Sequence, residues 1–259
     1  DDEQYTILSR SDRGKGLDGN ALFFMKKGEK TFRPIVSEIS DFDYSFIDNY
    51  GDDFVIVTNA GAPNKKVMIF NANTGKWKTI IQEKKEPLQA VSSAGGKLFV
   101  SYMQDVSTHV YVYDINGKQE NEILMPGPGN AGGFGGERND KTIFYTFTSF
   151  TYPSVIYSYN IASGKSTVYR KSEVDFNSDD YETRQVFYPS KDGTKIPMFI
   201  VYKKGLTLNS ANPTLLYGYG GFNVSLNPGF SPLLIPFLEQ GGVYAQANLR
   251  GGSEYGEAW

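Results

Sequence analysis

The chain has 259 residues, 39% hydrophobic and 15% aromatic, a length that suits one large or two ordinary domains and a composition that favours strands. Its 26 basic and 29 acidic residues leave a net charge of −3 without a long run of one sign, so neither nucleic acid nor an acidic membrane is indicated as a partner. With no cysteine, disulfides, thiolate catalysis and cysteine-ligated metals are excluded, and no run of about 18 apolar residues exists to make a transmembrane helix.

The opening Asp1–Asp2–Glu3–Gln4 carries neither an initiating Met nor a signal-like segment, which reads as a processed or partial chain. Strand-like pairs then follow: Tyr5–Ser9 with Ala21–Met25, divided by a glycine-rich turn around Gly14–Gly19; Phe54–Thr58 with Val67–Phe70; Lys97–Tyr102 with Val110–Tyr113; and Ile143–Phe147 with Val155–Tyr159. Gly28, Gly75, Gly117 and Gly164 each stand shortly after the second member of a pair, at separations of 47, 42 and 47 residues. Glycine suits those turns because it takes positive φ without steric cost. A period of roughly 40–50 residues with about four short strands marks a propeller blade. Asp41–Tyr44 and Pro87–Val91 begin intervening blades, and about four blade-like units fit before residue 173. They read as the later part of a larger propeller, with a complete small ring of four blades as the alternative.

Two features in this half are decoys. Gly127–Pro128–Gly129–Asn130–Ala131–Gly132 matches the dinucleotide fingerprint literally, but prolines precede it and no helix follows to meet a phosphate. His109, the only histidine, lies in the strand-like run His109–Tyr113 and reads as a half-exposed strand residue.

After Lys171 the pattern changes. The acidic stretch Glu173–Asp180 is a linker; its carboxylates lack a third ligand at calcium-loop spacing, so no metal site is expected. Thr183–Tyr188 and Ile196–Tyr202 form a hairpin around Ser190–Lys191–Asp192–Gly193, with Pro197 placing the second strand near an edge or a bulge. Thr214–Tyr217 is continuously apolar, as a strand buried on both faces would be, and enters Gly218–Tyr219–Gly220–Gly221. Leu233–Glu239 is a short helix disturbed by Pro236, and Val243–Asn248 is a strand ending at Arg250–Gly251–Gly252. Two antiparallel strands, then strand, helix and strand, open an α/β-hydrolase sheet. In that fold one oxyanion donor comes from the turn after the third strand, where Tyr219 stands. On pattern alone Tyr219 is equally an aromatic in a glycine turn.

Tyr217–Gly218–Tyr219–Gly220–Gly221–Phe222–Asn223 resembles the hallmark of the prolyl oligopeptidases, serine peptidases of the prolyl endopeptidase type. Phe187–Met198 and Asn248–Gly256 are similar to further motifs of that family, and Phe144–Phe150 to its last-blade motif. The resemblance covers nearly the whole chain and is densest from Tyr181 onward. It implies the C-terminal blades of a seven-bladed β-propeller over residues 1–172, and the first part of an α/β-hydrolase domain over residues 173–259. It further implies cleavage of short peptides after proline, no cofactor or metal, and a complete protein that is monomeric and soluble, in the cytoplasm or the periplasm. By motif match Tyr219 helps form the oxyanion hole and Phe222 lines the peptide-binding site. Arg250 receives no catalytic role.

No serine of the chain lies in G-x-S-x-G, the motif that holds the family's nucleophile downstream of the Arg–Gly–Gly motif. The chain is therefore expected to be an internal piece that lacks the Ser, Asp and His of the triad and is inactive alone. Two rivals remain. One is a sister peptidase of the same architecture, cleaving after basic residues or removing acylated amino acids or dipeptides. The other is a non-catalytic propeller that serves as a binding module.

Overall fold

A computed structural model describes residues 3–12, 14 and 16–259. The start of the first unit at Asp1 and part of the Gly14–Gly19 turn lie outside the described residues. Among the described residues nineteen strands form five separate sheets. The first joins β1 (Tyr5–Arg10), β2 (Ala21–Lys26) and β3 (Arg33–Val36) in that order. The second runs β4 (Tyr44–Tyr50), β5 (Asp53–Thr58), β6 (Lys66–Asn71), β7 (Trp77–Ile81). The third is β8 (Leu88–Ala94), β9 (Lys97–Gln104), β10 (Ser107–Asp114), β11 (Gln119–Ile123). The fourth is β12 (Asn130–Gly132), β13 (Thr142–Ser149), β14 (Tyr152–Asn160), β15 (Lys165–Lys171).

These four sheets are the expected blade-like units, each an up-and-down run of neighbouring strands. The repeated glycines fall where the sequence places them. Gly28 joins β2 to β3, Gly75 joins β6 to β7, Gly117 joins β10 to β11 and Gly164 joins β14 to β15, all at positive φ. At Gly117 a side chain is doubly excluded, since a Cβ would lie 2.0 Å from the Ile80 carbonyl oxygen. A register shift recurs in the same place: between Leu22 and Phe23, Val67 and Met68, and Ile156 and Tyr157, each facing the last strand of its sheet. Such bulges sharpen the local twist of a sheet.

The fifth sheet has the order β16 (Tyr181–Pro189), β17 (Lys195–Lys203), β19 (Val243–Asn248), β18 (Thr214–Tyr219). β16, β17 and β19 pair antiparallel, while β18 runs parallel to β19 as the two glycine-ended apolar runs require. Among the described residues β18 is the outer strand of this sheet, with Leu216 65% exposed. Two expectations are corrected here. Pro197 stands in an interior strand, tolerated because β17 pairs with β19 only from Met198 onward. Pro236 does not disturb its helix but occupies the first turn of α1 (Ile235–Glu239), where a missing N–H costs nothing.

By compactness the chain divides into two units. One contains Asp1–Ser101, Tyr111–Asn121 and Gly135–Asp140; the other contains Tyr102–Val110, Glu122–Phe134 and Lys141–Trp259. In the first, Leu22, Phe24, Ile35, Ile56 and Phe70 bury themselves around Phe54, whose ring meets Tyr5, Phe24 and Phe46 edge-on at 4.7, 5.2 and 5.6 Å. In the second, Met103 from the end of β9, Val106 from the β9–β10 turn and Phe150 from the β13–β14 turn pack with Tyr181, Phe199, Val201, Leu238 and Tyr244 of the fifth sheet and its helix. Among the described residues no helix is long and apolar enough to cross a membrane.

The first unit also holds a nearly buried charge. Asp48 in β4 accepts from Arg138 at 3.4 Å, and the same guanidinium donates to the Asn49 carbonyl and lies 5.0 Å from the centre of the Tyr50 ring. Burial, and next the Asp48 carboxylate, push the Tyr50 phenol up to about 12. Removing the cation would strand Asp48 in a low-dielectric setting. Because Arg138 is itself 28% exposed, the cost falls between the surface and the fully buried cases. Arg138→Met is expected to lower unfolding free energy by about 2 kcal/mol in urea titration.

Candidate functional site

The site is built where β18 and β19 end side by side. In a parallel pair the carboxyl ends of both strands open on the same edge, and loops leaving that edge are where α/β sheets place ligands. Tyr219 closes β18 opposite Asn248, the last residue of β19. Two loops leave from there, residues 220–226 and residues 249–256.

The loops are pressed together because glycine lets them be. A Cβ on Gly220 would lie 2.5 Å from the Arg250 carbonyl oxygen and 2.6 Å from the Leu249 Cβ. Gly251 takes φ +99° and faces the Gly220 carbonyl, where a Cβ would sit 2.6 Å away. Across this seam the Asn223 N–H donates to the Gly251 carbonyl at 3.0 Å, and the Ser225 and Ser253 hydroxyls meet at 2.8 Å.

Tyr219 is 38% exposed and folds back over Gly221, whose Cβ position is 3.5 Å from the Tyr219 hydroxyl. Among the described residues that hydroxyl has no hydrogen-bond partner, so it can donate outward. Phe222 is 94% exposed and takes φ +53°, followed by Asn223 at +59°. A bulky side chain in the left-handed region is strained by about 1–2 kcal/mol, and such strain gathers at ligand sites. Of the two residues singled out from the sequence, Tyr219 thus ends the strand and Phe222 stands three positions on in the loop that follows, with their polar or aromatic ends accessible.

Arg250 is held elsewhere. Its guanidinium donates to Asp192 at 2.5 Å, to the Thr194 hydroxyl at 3.4 Å and to the Ser190 hydroxyl at 3.3 Å, all in the turn between β16 and β17. The Thr194 backbone N–H, and then Arg250, hold the Asp192 carboxyl down at about 2, below its ordinary value of 3.8. A lowered folded value means that the clamp is fully present above about pH 4 and is lost as pH falls towards 2. Amide protection in the β16–β17 turn, taken relative to the intrinsic exchange rate at each pH, is therefore expected to fall over that interval, and Asp192→Asn should flatten the response.

Sequence reasoning missed Glu254 and Asn248. Both are fully buried, at 0% exposure, and both reach into the loop that carries Tyr219. Nothing in Gly252–Ser253–Glu254–Tyr255 marks a glutamate as interior. His109 lies in β10 with Nδ1 3.4 Å from Glu122 and takes no part in this site.

The sequence profile described as the N-terminal beta-propeller domain of prolyl oligopeptidase matches residues 1–172. The chain belongs to the prolyl oligopeptidase family. It is 44% identical over 263 residues to a prolyl endopeptidase of Elizabethkingia meningoseptica, covering 100% of this chain and 37% of that relative. A prolyl endopeptidase of Dictyostelium discoideum is 40% identical over 85% of this chain and 31% of its own length. Among solved structures, one from a study of two prolyl endopeptidases superposes with a TM-score of 0.89 at 39% identity, over 100% of this chain and 38% of that one. Prolyl oligopeptidase B of Galerina marginata, bound to a 35-residue hydrolysis and macrocyclization substrate, gives 0.89 at 31% identity, over 100% and 37%. The architecture is that of propeller blades followed by the opening strands of an α/β-hydrolase sheet, and the chain spans 37% and 31% of the length of these two curated relatives.

Proposed function

We propose that the complete protein is a serine endopeptidase cleaving short peptides after proline, acting as a monomer. Residues 1–172 supply propeller blades to it, and residues 173–259 supply the beginning of its catalytic domain. In the reaction a serine from the rest of the protein attacks the carbonyl carbon of proline itself. Negative charge then develops on that carbonyl oxygen. The Tyr219 hydroxyl donates to it, and Phe222 offers its ring to the peptide. The amine of the next residue leaves as the C–N bond breaks and an acyl-enzyme forms.

The observation that carries this reading is the free hydroxyl of Tyr219 at the carboxyl end of a parallel strand, on a loop fixed by glycine packing. A preorganised donor is worth far more than a flexible one because it does not have to reorient as charge forms. The prolyl endopeptidase names of the relatives support the substrate class.

The test compares reporter peptides ending in proline and in arginine on the full-length protein. The proline reporter is expected to be preferred in kcat/KM by about a hundredfold or more. Equal rates, or a preference for arginine, would assign the protein to a sister specificity. No hydrolysis of either would favour a binding module.

A further inference from the structure

We infer that Glu254 is a positioning residue for Tyr219, acting through the reach and acceptor chemistry of its Oε1 and not through its charge; the inference rests on the reading of Tyr219 given above. Leu226, at the far end of the loop that begins after Tyr219, is held on both sides of its backbone. Its N–H donates to Glu254 Oε1 at 3.0 Å. Its carbonyl accepts from the side-chain amides of Asn248 at 2.8 Å and Gln246 at 3.1 Å. The Asn248 amide also donates to the same Glu254 oxygen at 3.1 Å, and the Tyr244 hydroxyl donates to Gln246 at 3.0 Å. Gln246 and Asn248, with Tyr244 behind Gln246, and one glutamate therefore hold the backbone of a single residue.

Alternation explains the first three, since residues two apart on a strand share a face. Glu254 arrives from the opposite loop, and its position is tight. Gly252 must be glycine because a Cβ there would lie 2.1 Å from Glu254 Oε2. That second oxygen is buried and has no hydrogen-bond partner among the described residues, nor does any cation pair with the carboxyl. The geometry uses one oxygen as an acceptor and leaves the other idle, so an amide oxygen can supply the same acceptor. A buried donor left unmet is costly, so the Leu226 N–H would move to find another partner. Tyr219 would move with it, because the intervening loop is tied as one piece: the Val224 N–H donates to the Gly221 carbonyl at 3.1 Å and the Asn223 N–H to the Gly251 carbonyl at 3.0 Å.

Two variants of the full-length protein separate reach from charge. Glu254→Gln keeps the reach and loses the charge; Glu254→Asp keeps the charge and withdraws the oxygen by one methylene. On the proline reporter, Glu254→Gln is expected to keep kcat within threefold of the parent, and Glu254→Asp to lower kcat at least tenfold with KM little changed. In a Tyr219→Phe background Glu254→Asp should cost less than twofold more, because the group it positions is gone. Amide exchange at residues 219–226 should quicken in Glu254→Asp and not in Glu254→Gln. Equal impairment of the two variants, a harmless Glu254→Asp, or a full additional loss in the Tyr219→Phe background would overturn the inference. A parent protein inactive on both reporters refutes the proposed function instead, and the exchange comparison then decides whether Glu254 holds the loop.

Discussion

Replacing Tyr219 by Phe in the full-length protein is expected to lower kcat by about 10²–10³, or roughly 2.7–4 kcal/mol of transition-state stabilisation, with the melting temperature unchanged. The substitution removes a single oxygen. The ring, which lies 3.6 Å from the Cβ position of Gly221, keeps its packing. The hydroxyl makes no hydrogen bond to the described residues, so its loss strands no buried partner and the fold has no reason to respond. KM should change little, because the donor is needed only once the carbonyl oxygen carries charge. Steady-state kinetics together with a thermal melt check both halves. A variant with near-normal turnover would remove Tyr219 from the oxyanion site, whatever its place in the loop.

Gly220→Ala is expected to destabilise the protein by about 3 kcal/mol, the upper part of the range for overpacking. The added methyl would meet the Arg250 carbonyl at 2.5 Å and the Leu249 Cβ at 2.6 Å, neither of which is the free end of a flexible side chain. Relief requires the two loops to part, and Tyr219 adjoins the residue that must move. A displacement of about 1 Å at a catalytic group is enough to cost about 10²-fold in rate. The neighbouring Gly221→Ala makes the control. Its Cβ would find the Tyr219 hydroxyl at 3.5 Å, an ordinary contact, so stability should hold. Urea titration and kcat/KM on the pair would show whether the effect follows the seam between the loops or any loss of glycine nearby.

Much of this arrangement is legible in the chain itself. The period set by Gly28, Gly75, Gly117 and Gly164 places four turns correctly because positive φ is a local demand that one residue type meets. The parallel pairing of Thr214–Tyr219 with Val243–Asn248 follows from two short apolar runs separated by a helix, which can hardly be joined otherwise. What escapes is anything set by partners distant in sequence. Glu254 looks like a surface residue, and only the packing of Gly252 against it and the reach to Leu226 make it interior. Arg138 and Asp48, ninety positions apart, carry no shared signal in the sequence.

The β9–β10 turn, with Val106 fully buried beside Phe199, Val201 and Tyr244, has a practical consequence for dissecting the molecule. Severing the polypeptide after Ser172 would strip Met103, Val106 and Phe150 from the apolar cluster that Tyr181, Leu238 and the fifth sheet share with them. A piece starting at Glu173 would begin life with a hole in its interior and a greasy face turned to water. Limited proteolysis that nicks the Glu173–Asp180 stretch should therefore yield two products that stay associated until denaturant is added.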